Sequence, residues 1–218
     1  MKRAQIAMWM LTKFAMIFFI LALSVILVAY SANEKAALCS HRAAYTAIGI
    51  QNAFVNVLNS PVEDERKIIP LERMLSAGGD EFASYEIKLT KKTIGNGGEA
   101  SHRILVQVLP TRRANCNGFA NLEYARGDNP SDLKKLQDND ISFIAGSSAS
   151  PDTLTVTPSE TGVKQSTYLI LIKCSGKKWP SRKYLFVQDC KQQQPNECYN
   201  FETVKKQCGW EETGGSGT

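Results

Sequence analysis

Two histidines and a short run of carboxylates are the first side chains to consider for chemistry. His41 lies in a helical stretch and His102 lies beside a turn, and neither has a nucleophile or further ligands at a usable spacing. The acidic residues 63–65 are typical of a solvated turn. The zinc-protease, serine-hydrolase and P-loop motifs do not occur in the sequence. We therefore expect no catalytic residue, no cofactor and no metal ion.

An oxygen-rich stretch between residues 128 and 140 offers side chains of the kind that Ca²⁺ prefers. Its spacing does not match the EF-hand loop, so it does not change the expectation of no metal site. The triplet Arg126-Gly127-Asp128 is interpreted as a coincidence. Asn129 is followed by Pro130, which excludes it as an acceptor for N-glycosylation.

The six cysteines carry the clearest chemical signal in the chain. They are even in number, none forms a C-x-x-C pair, and all of them follow the apolar N-terminal run. Such a set favours disulfides in an oxidising compartment over a zinc or redox site. The candidates for disulfide bonding are Cys39, Cys116, Cys174, Cys190, Cys198 and Cys208.

The apolar N-terminal run predicts a membrane-spanning helix. Residues 14–30 contain no charge, and as a helix they are close to the shortest that can cross a bilayer core of about 30 Å. A helix over about residues 6–30 is long enough to cross it. Lys13 then lies near the cytoplasmic interface, as an anchor or in subunit packing. The positive charges of Lys2 and Arg3 precede the run, whereas the opposite charges of Glu34 and Lys35, which follow it, cancel each other. The positive-inside rule places the N-terminus in the cytoplasm and the remainder outside.

The helical pattern continues beyond the membrane segment. Apolar residues recur three or four positions apart at Ala36, Cys39, Ala43, Ala47, Ile50, Phe54 and Leu58. This spacing is typical of an amphipathic helix, and Pro61 is expected to end it. No helix breaker lies in between, so we predict one helix over residues 4–59, roughly 80 Å long. Its apolar stripe requires a packing partner.

A β-sheet is the predicted partner of this stripe. Segments 82–92 and 101–109 flank a glycine-rich turn at 95–98, which predicts a hairpin. A four-residue loop pairs Tyr85 with Val108, so that Ile87 faces Val106 and Leu89 faces Ile104. Further strands are predicted over 153–157, 167–173 and 183–188, with the second of them central and buried. Residues 110–152 are predicted to form a long excursion with one helix near 131–137.

The second predicted hairpin restricts the disulfide pairing. If Lys173 pairs with Lys183, Cys174 lies at the turn and Cys190 at the open end, more than about 20 Å away. A short helix over 199–207 would likewise separate Cys198 from Cys208 by about 15 Å. Cys190 is then left to pair with Cys198 or Cys208, and Cys190–Cys198 is preferred. Cys39 is left to a tail cysteine or to Cys116.

Composition limits the class of partner. Lys and Arg total 26 against 21 Asp and Glu, for a formal net charge of +5, which is too weak to indicate nucleic-acid binding. Residues 60–210, here called the head, are predicted to fold as an extracytoplasmic α+β domain. Residues 211–218 are set aside as a flexible tail.

The start Lys2-Arg3-Ala4-Gln5 resembles the class III signal peptide of archaeal type IV pilins, in which a basic and a small residue precede Gln and the apolar helix. Residues 59–72 are also similar to a segment of uncharacterised archaeal membrane proteins with such starts. The resemblance extends over roughly residues 1–110. It implies a pilin-like fold, in which the long N-terminal helix packs on an antiparallel β-sheet.

The resemblance also implies a structural role rather than an enzymatic one. The chain would be a subunit of a surface filament or pilin-like membrane assembly, in contact with membrane lipid and with its own copies or other pilin-like subunits. The assembly face of the helix would comprise Phe14, Phe18, Leu21, Val25 and Val28. The alternative is an uncleaved, single-pass anchor that carries an extracytoplasmic binding module. Ala4 stands where the family usually has Gly, which keeps this alternative open.

Overall fold

The structure is a computed structural model of the 218-residue chain. The described residues are 2–62, 64–77, 80–94, 101–111, 116–126, 141–144, 152–158, 166–175 and 183–193, together with Val204, Lys206 and Cys208. The chain divides into two compact units, Met1–Leu38 and Cys39–Thr218.

The N-terminal helix, α1, is continuous from Lys2 to Asn59, as the absence of a helix breaker predicted. Residues up to Leu38 belong to the first unit, and the remainder of α1 belongs to the second unit with the strands. The described strands are β1 Glu65–Leu71, β2 Leu75–Ala77, β3 Asp80–Ala83, β4 Tyr85–Ile94, β5 Ser101–Pro110, β6 Gly118–Arg126, β7 Ile141–Ile144, β8 Thr153–Val156, β9 Ser166–Ser175 and β10 Lys183–Gln192.

These strands form two four-stranded sheets and a small ribbon. The first sheet has the order β1-β9-β10-β7, and β7 runs parallel to β10 while the other neighbours are antiparallel. The second sheet has the order β6-β5-β4-β8 and is antiparallel throughout. Strands β2 and β3 pair as the ribbon. The predicted α+β class, with a helix packed on a sheet head, is therefore confirmed.

The main core joins α1 to the inner faces of both sheets. Ile87, Leu89 and Ile104 of the second sheet and Leu171 and Val187 of the first lie in the same buried cluster as the helix. The helix contributes Cys39, Ala43, Ala47, Ile50, Ala53, Phe54 and Val57. The predicted stripe is confirmed from Cys39 to Phe54. At its start Ala36 is only half-buried and lies outside the core cluster, and at its end Val57 is buried whereas Leu58 is only partly buried.

The central strand of the first sheet, β9, is buried on both of its faces. Leu169 and Leu171 face the main core, whereas Ile170 and Ile172 belong to a second cluster with Phe186 and other residues. Val204 and Cys208 of the C-terminal segment pack in this second cluster. The predicted central position of residues 167–173 is confirmed, because a strand covered on both sides must be apolar at consecutive positions.

The predicted hairpin registers are wrong by two residues. Tyr85 pairs with Pro110, Ile87 with Val108 and Leu89 with Val106, because the β4–β5 pairing continues to Ile94 and Ser101. The connection is therefore six residues, 95–100, rather than four. Because side chains alternate with a period of two, this shift changes every partner but keeps the buried face.

The β9–β10 hairpin is displaced in the same way. Lys183 pairs with Ser175 rather than Lys173, and Cys190 pairs with Tyr168. Cys174 and Cys190 still lie near opposite ends of the hairpin, too far apart to be bonded to each other, as predicted.

The predicted long excursion over 110–152 is also wrong in part, because it contains β6 and β7. Among residues 118–123 of β6, Ala120 and Leu122 supply apolar side chains to the core, and β7 has four residues. Such patterns are too short or too mixed to stand out in the sequence. The helix predicted near residues 131–137 lies outside the described residues.

Strand β6 follows α1 closely at the edge of the second sheet. A Cβ atom on Gly118 would collide with the backbone of Ala43 and Ala44, so the two backbones meet where neither has a bulky side chain. Farther along, the Gln51 side-chain amide donates a hydrogen bond of 2.9 Å to the backbone oxygen of Asn121. The helix thus covers part of an edge strand that would otherwise be open to pairing.

We predict that Gly118→Ala destabilises the second unit by about 3 kcal/mol, because neither backbone can move without disturbing the core. Gly49→Ala is the matched control, since a Cβ there meets nothing within 4 Å. Alanine is the better helix former by up to about 1 kcal/mol, so this variant should be neutral or stabilised. Urea unfolding of the full chain in detergent micelles measures both, and equal midpoints would contradict the close approach.

Candidate functional site: the N-terminal helix and its attachment

The first part of α1 is apolar on all sides. Among the described residues, one helix has the length and composition needed to cross a membrane, and it begins near the N-terminus. Its large apolar side chains are exposed from Met8 to Tyr30. The predicted assembly residues Phe14, Phe18, Leu21, Val25 and Val28 are among them, with 57–71% of their surface exposed.

Polar side chains of this apolar part find partners within the helix itself. The Thr12 hydroxyl donates to the backbone oxygen of Met8, and the Ser24 hydroxyl donates to that of Ile20, each at 2.8 Å. The Lys13 ammonium lies 5.6 Å from the centre of the Trp9 ring. Cation–π contacts of this kind need no second chain.

Two described disulfides hold the second unit together. Cys39 of α1 is bonded to Cys116, just before β6, with the Cα atoms 5.4 Å apart. Cys174 of β9 is bonded to Cys208, with the Cα atoms 5.6 Å apart. Of the alternatives left open by the sequence, Cys39 therefore takes Cys116, and Cys208 is unavailable to Cys190 or Cys198.

Cys190 is also disulfide-bonded. Its preferred partner, Cys198, lies outside the described residues, so the Cys190–Cys198 pairing stays a prediction.

The Cys39–Cys116 bond closes a long loop. Its cysteines are 77 positions apart. In the chain-entropy model, closing a loop of this length stabilises the folded state by about 4–5 kcal/mol. Cys39 is also the first fully buried residue of α1 among those described. The bond therefore fixes the helix to β6 where its buried face begins.

The other end of the buried face is closed by Lys173. This side chain is 1% exposed, and its ammonium donates to the backbone oxygens of Val57 at 3.1 Å and Ser60 at 2.6 Å. The Leu58 oxygen lies at 3.5 Å. These carbonyls belong to the last turn of α1 and the residue after it, where oxygens lack partners within the helix. Lys173 therefore caps the helix from a neighbouring strand.

The charge of Lys173 suits this position. A helix C-terminus carries partial negative charge, and the last turn of α1 has no basic residue of its own. Burial lowers the pKa of Lys173, Lys183 lowers it further, and Glu65 opposes both. The three carbonyl oxygens compensate the ammonium for the water it loses.

Sequence reasoning missed Lys173. The sequence feature that could have indicated its role is its position immediately after the apolar run 168–172 of the central strand. A charged side chain at such a position must be either exposed at the end of the strand or buried with a partner. The partner lies 113 positions away at Ser60, and local patterns do not reveal contacts at that distance.

A third attachment lies beside α1 at Glu72. The Arg42 guanidinium forms an ion pair of 2.6 Å with the Glu72 carboxylate. The buried Tyr85 hydroxyl donates a hydrogen bond of 2.6 Å to the Glu72 backbone oxygen. Burial, with the Glu72 charge, raises the pKa of Tyr85, which keeps its hydroxyl protonated and able to donate even above neutral pH. The chain following β1 is thus held against both the helix and the second sheet.

The histidines and carboxylates considered for catalysis or metal binding do not form a site among the described residues. His41 is exposed on α1, and the His102 ring nitrogen Nδ1 lies 3.2 Å from the Thr93 hydroxyl across the β4–β5 hairpin. Within the described ranges, no group of three or more His, Cys, Asp or Glu side chains is arranged to hold a metal ion. Glu63 and the oxygen-rich stretch 128–140 lie outside those ranges.

We predict that Lys173→Met destabilises the second unit by about 1–3 kcal/mol, because the helix-end carbonyls lose a buried charged donor. Lys67→Met is the matched control, since Lys67 is an exposed lysine of β1 in the same sheet. Thermal unfolding of the full chain in micelles compares the two. Equal melting temperatures for both variants would show that the cap contributes nothing.

No protein-family model, no curated protein and no solved structure matches this chain.

Proposed function

We propose that the chain is a structural, pilin-like subunit that is anchored in a membrane by α1 and assembles through it into a surface filament or related complex. The observation that carries the proposal is the division of one continuous helix. Its apolar first part is exposed, and its later part lies in the core of the second unit. This is the arrangement expected of a helix that joins a membrane or filament core to a folded head.

The charges and cysteines support an extracytoplasmic head. Lys2 and Arg3 precede the apolar part, and Glu34 and Lys35 follow it with no net charge. This asymmetry favours a cytoplasmic N-terminus. The disulfides follow the apolar part in the chain, and stable disulfides are typical of oxidising compartments. The two indications agree on the same side.

The spacing of the assembly face supports contact between helices. Phe14, Phe18, Leu21, Val25 and Val28 alternate between steps of four and three, which keeps them on one side of α1. Such a stripe can pack on identical helices, as in a coiled coil, or face lipid tails.

The alternative, an uncleaved anchor that carries a binding module, is favoured by one observation. Lys13 contacts Trp9 of its own helix, so its charge does not require another subunit. In this case α1 would serve as anchor and stalk, and the head would bind the partner.

A paired substitution separates the two functions. Phe18→Ala with Val25→Ala should abolish elongated polymers of the purified chain, because it removes two large contacts of the assembly face. Met16→Ala with Leu23→Ala is the control, since these residues have the same seven-residue spacing on the opposite side. Electron microscopy and size-exclusion chromatography in mild detergent measure assembly.

Polymers lost in the first variant and kept in the control are the result that the filament proposal predicts. Monodisperse monomers of the unaltered chain, with no filaments on the native cell surface, would favour the anchored module. Recovery of the full chain in the soluble fraction would contradict both.

A further inference from the structure

The Trp9–Lys13 contact has the geometry of a membrane anchor. The two residues are four positions apart, so they share a face of α1. Side chains of a helix lean toward its N-terminus, and the Lys13 ammonium does so, lying 5.6 Å from the Trp9 ring one turn earlier. A lysine near the end of a membrane span extends in this direction to reach the lipid–water interface. Tryptophan is itself enriched at that interface.

A second interfacial residue lies at the matching distance. Tyr30 is exposed and follows Trp9 by 21 positions. At the rise of an α-helix this is about 32 Å, close to the roughly 30 Å thickness of a bilayer core. Tyrosine and tryptophan mark the two surfaces of membrane proteins as aromatic belts. Trp9 and Tyr30 are therefore separated along the helix by about the thickness of one bilayer core.

The side chains between these marks suit a medium without water. Residues 14–30 carry no charge, and the Thr12 and Ser24 hydroxyls are bonded to backbone oxygens of their own helix. A hydroxyl satisfied in this way avoids the cost of burial without a hydrogen bond. Lys13 is the one charged residue within 9–30, and its contact with the neutral Trp9 ring leaves the positive charge without a counter-charge in this region.

That counter-charge does not come from the same region of a second copy. No Asp or Glu occurs in the sequence before Glu34, which lies 21 positions after Lys13 and beyond the other end of the span. A neighbouring copy packed alongside with its helix in parallel and in register would present Lys13 with no carboxylate. Phospholipid headgroups offer phosphate oxygens at the interface.

We propose that Trp9 and Lys13 form a lipid-contacting anchor, in which Lys13 binds headgroup phosphate and the pair fixes the depth of α1 with residues 9–30 across the bilayer. The inference rests on the membrane-spanning part of the proposed function. It holds equally for a filament subunit before assembly and for a permanent anchor. It shortens the span expected from the sequence, about 6–30, at its cytoplasmic end.

Depth-dependent fluorescence quenching tests this anchor in the full chain. Trp179→Phe and Trp210→Phe leave Trp9 as the tryptophan reporter. The protein is reconstituted in phosphatidylcholine–phosphatidylglycerol vesicles whose acyl chains carry a quencher at a shallow or a deep carbon. We expect the shallow label to quench Trp9 more strongly than the deep label.

Variants of Lys13 give the decisive comparison. Lys13→Leu should move Trp9 toward the bilayer centre by about 5 Å, one helical turn, because the apolar run is then extended. Lys13→Arg should keep the depth, since it keeps the charge. Thr12→Val is a neighbouring control that should not change the depth.

Three outcomes overturn the inference. Stronger quenching of unaltered Trp9 by the deep label would show that it is not interfacial. An unchanged depth in Lys13→Leu would show that the lysine does not set it. Failure of the protein to float with the vesicles would instead refute the membrane-spanning role itself, so the two failures are distinguishable.

Discussion

The packing of residues 39–57 of α1 against two sheets is the interaction on which the rest of the second unit depends. The same helix is apolar and exposed over much of its earlier length, so helix propensity alone does not distinguish the two parts. The difference lies in the side chains. Small residues such as Ala43 and Ala47 let the strands approach the backbone closely, and Ile50 and Phe54 fill the space beyond them. Hydrophobic burial then supplies most of the favourable free energy.

The two ends of this packed part of the helix are attached to the sheets by different kinds of bond. At one end a covalent bond joins Cys39 to Cys116 and restricts the unfolded chain. At the other end the Lys173 ammonium binds the last carbonyls of the helix. Between them, Gly118 and Gln51 keep β6 alongside the helix. Separation of the helix from the sheets would have to begin at one of these closures, and both oppose it.

Local periodicity was sufficient to predict the helix and the buried faces. The helix over 4–59, the stripe through Cys39 and Phe54, and the buried strand over 167–173 all follow from spacing and residue type. The strand registers do not follow, because a shift of two residues keeps every apolar side chain on the same face. Strands β1, β2, β6 and β7 were missed, and β3 was not separated from β4, since β1 is an edge strand with charges and Pro70 and the others are short or weakly patterned.

The attachment of the helix was predictable only in part. Six cysteines in an oxidising context indicate disulfides, but their pairing requires the fold, and Cys39–Cys116 was one of several alternatives. The Lys173 cap was not foreseen, because it joins residues that are distant in the chain. The collision that makes Gly118 necessary depends on how β6 approaches Ala43, and the sequence holds no local sign of it.

The central claim is that residues 43–57 of α1 form part of the core of the second unit. Hydrogen–deuterium exchange on the full chain in micelles, with the disulfides intact, tests it directly. Amides of residues 43–57 should exchange as slowly as those of the buried strand at 169–172, because both open only when the core unfolds. Exchange of residues 43–57 as fast as that of the exposed helical residues 31–35, while 169–172 remain protected, would contradict the account.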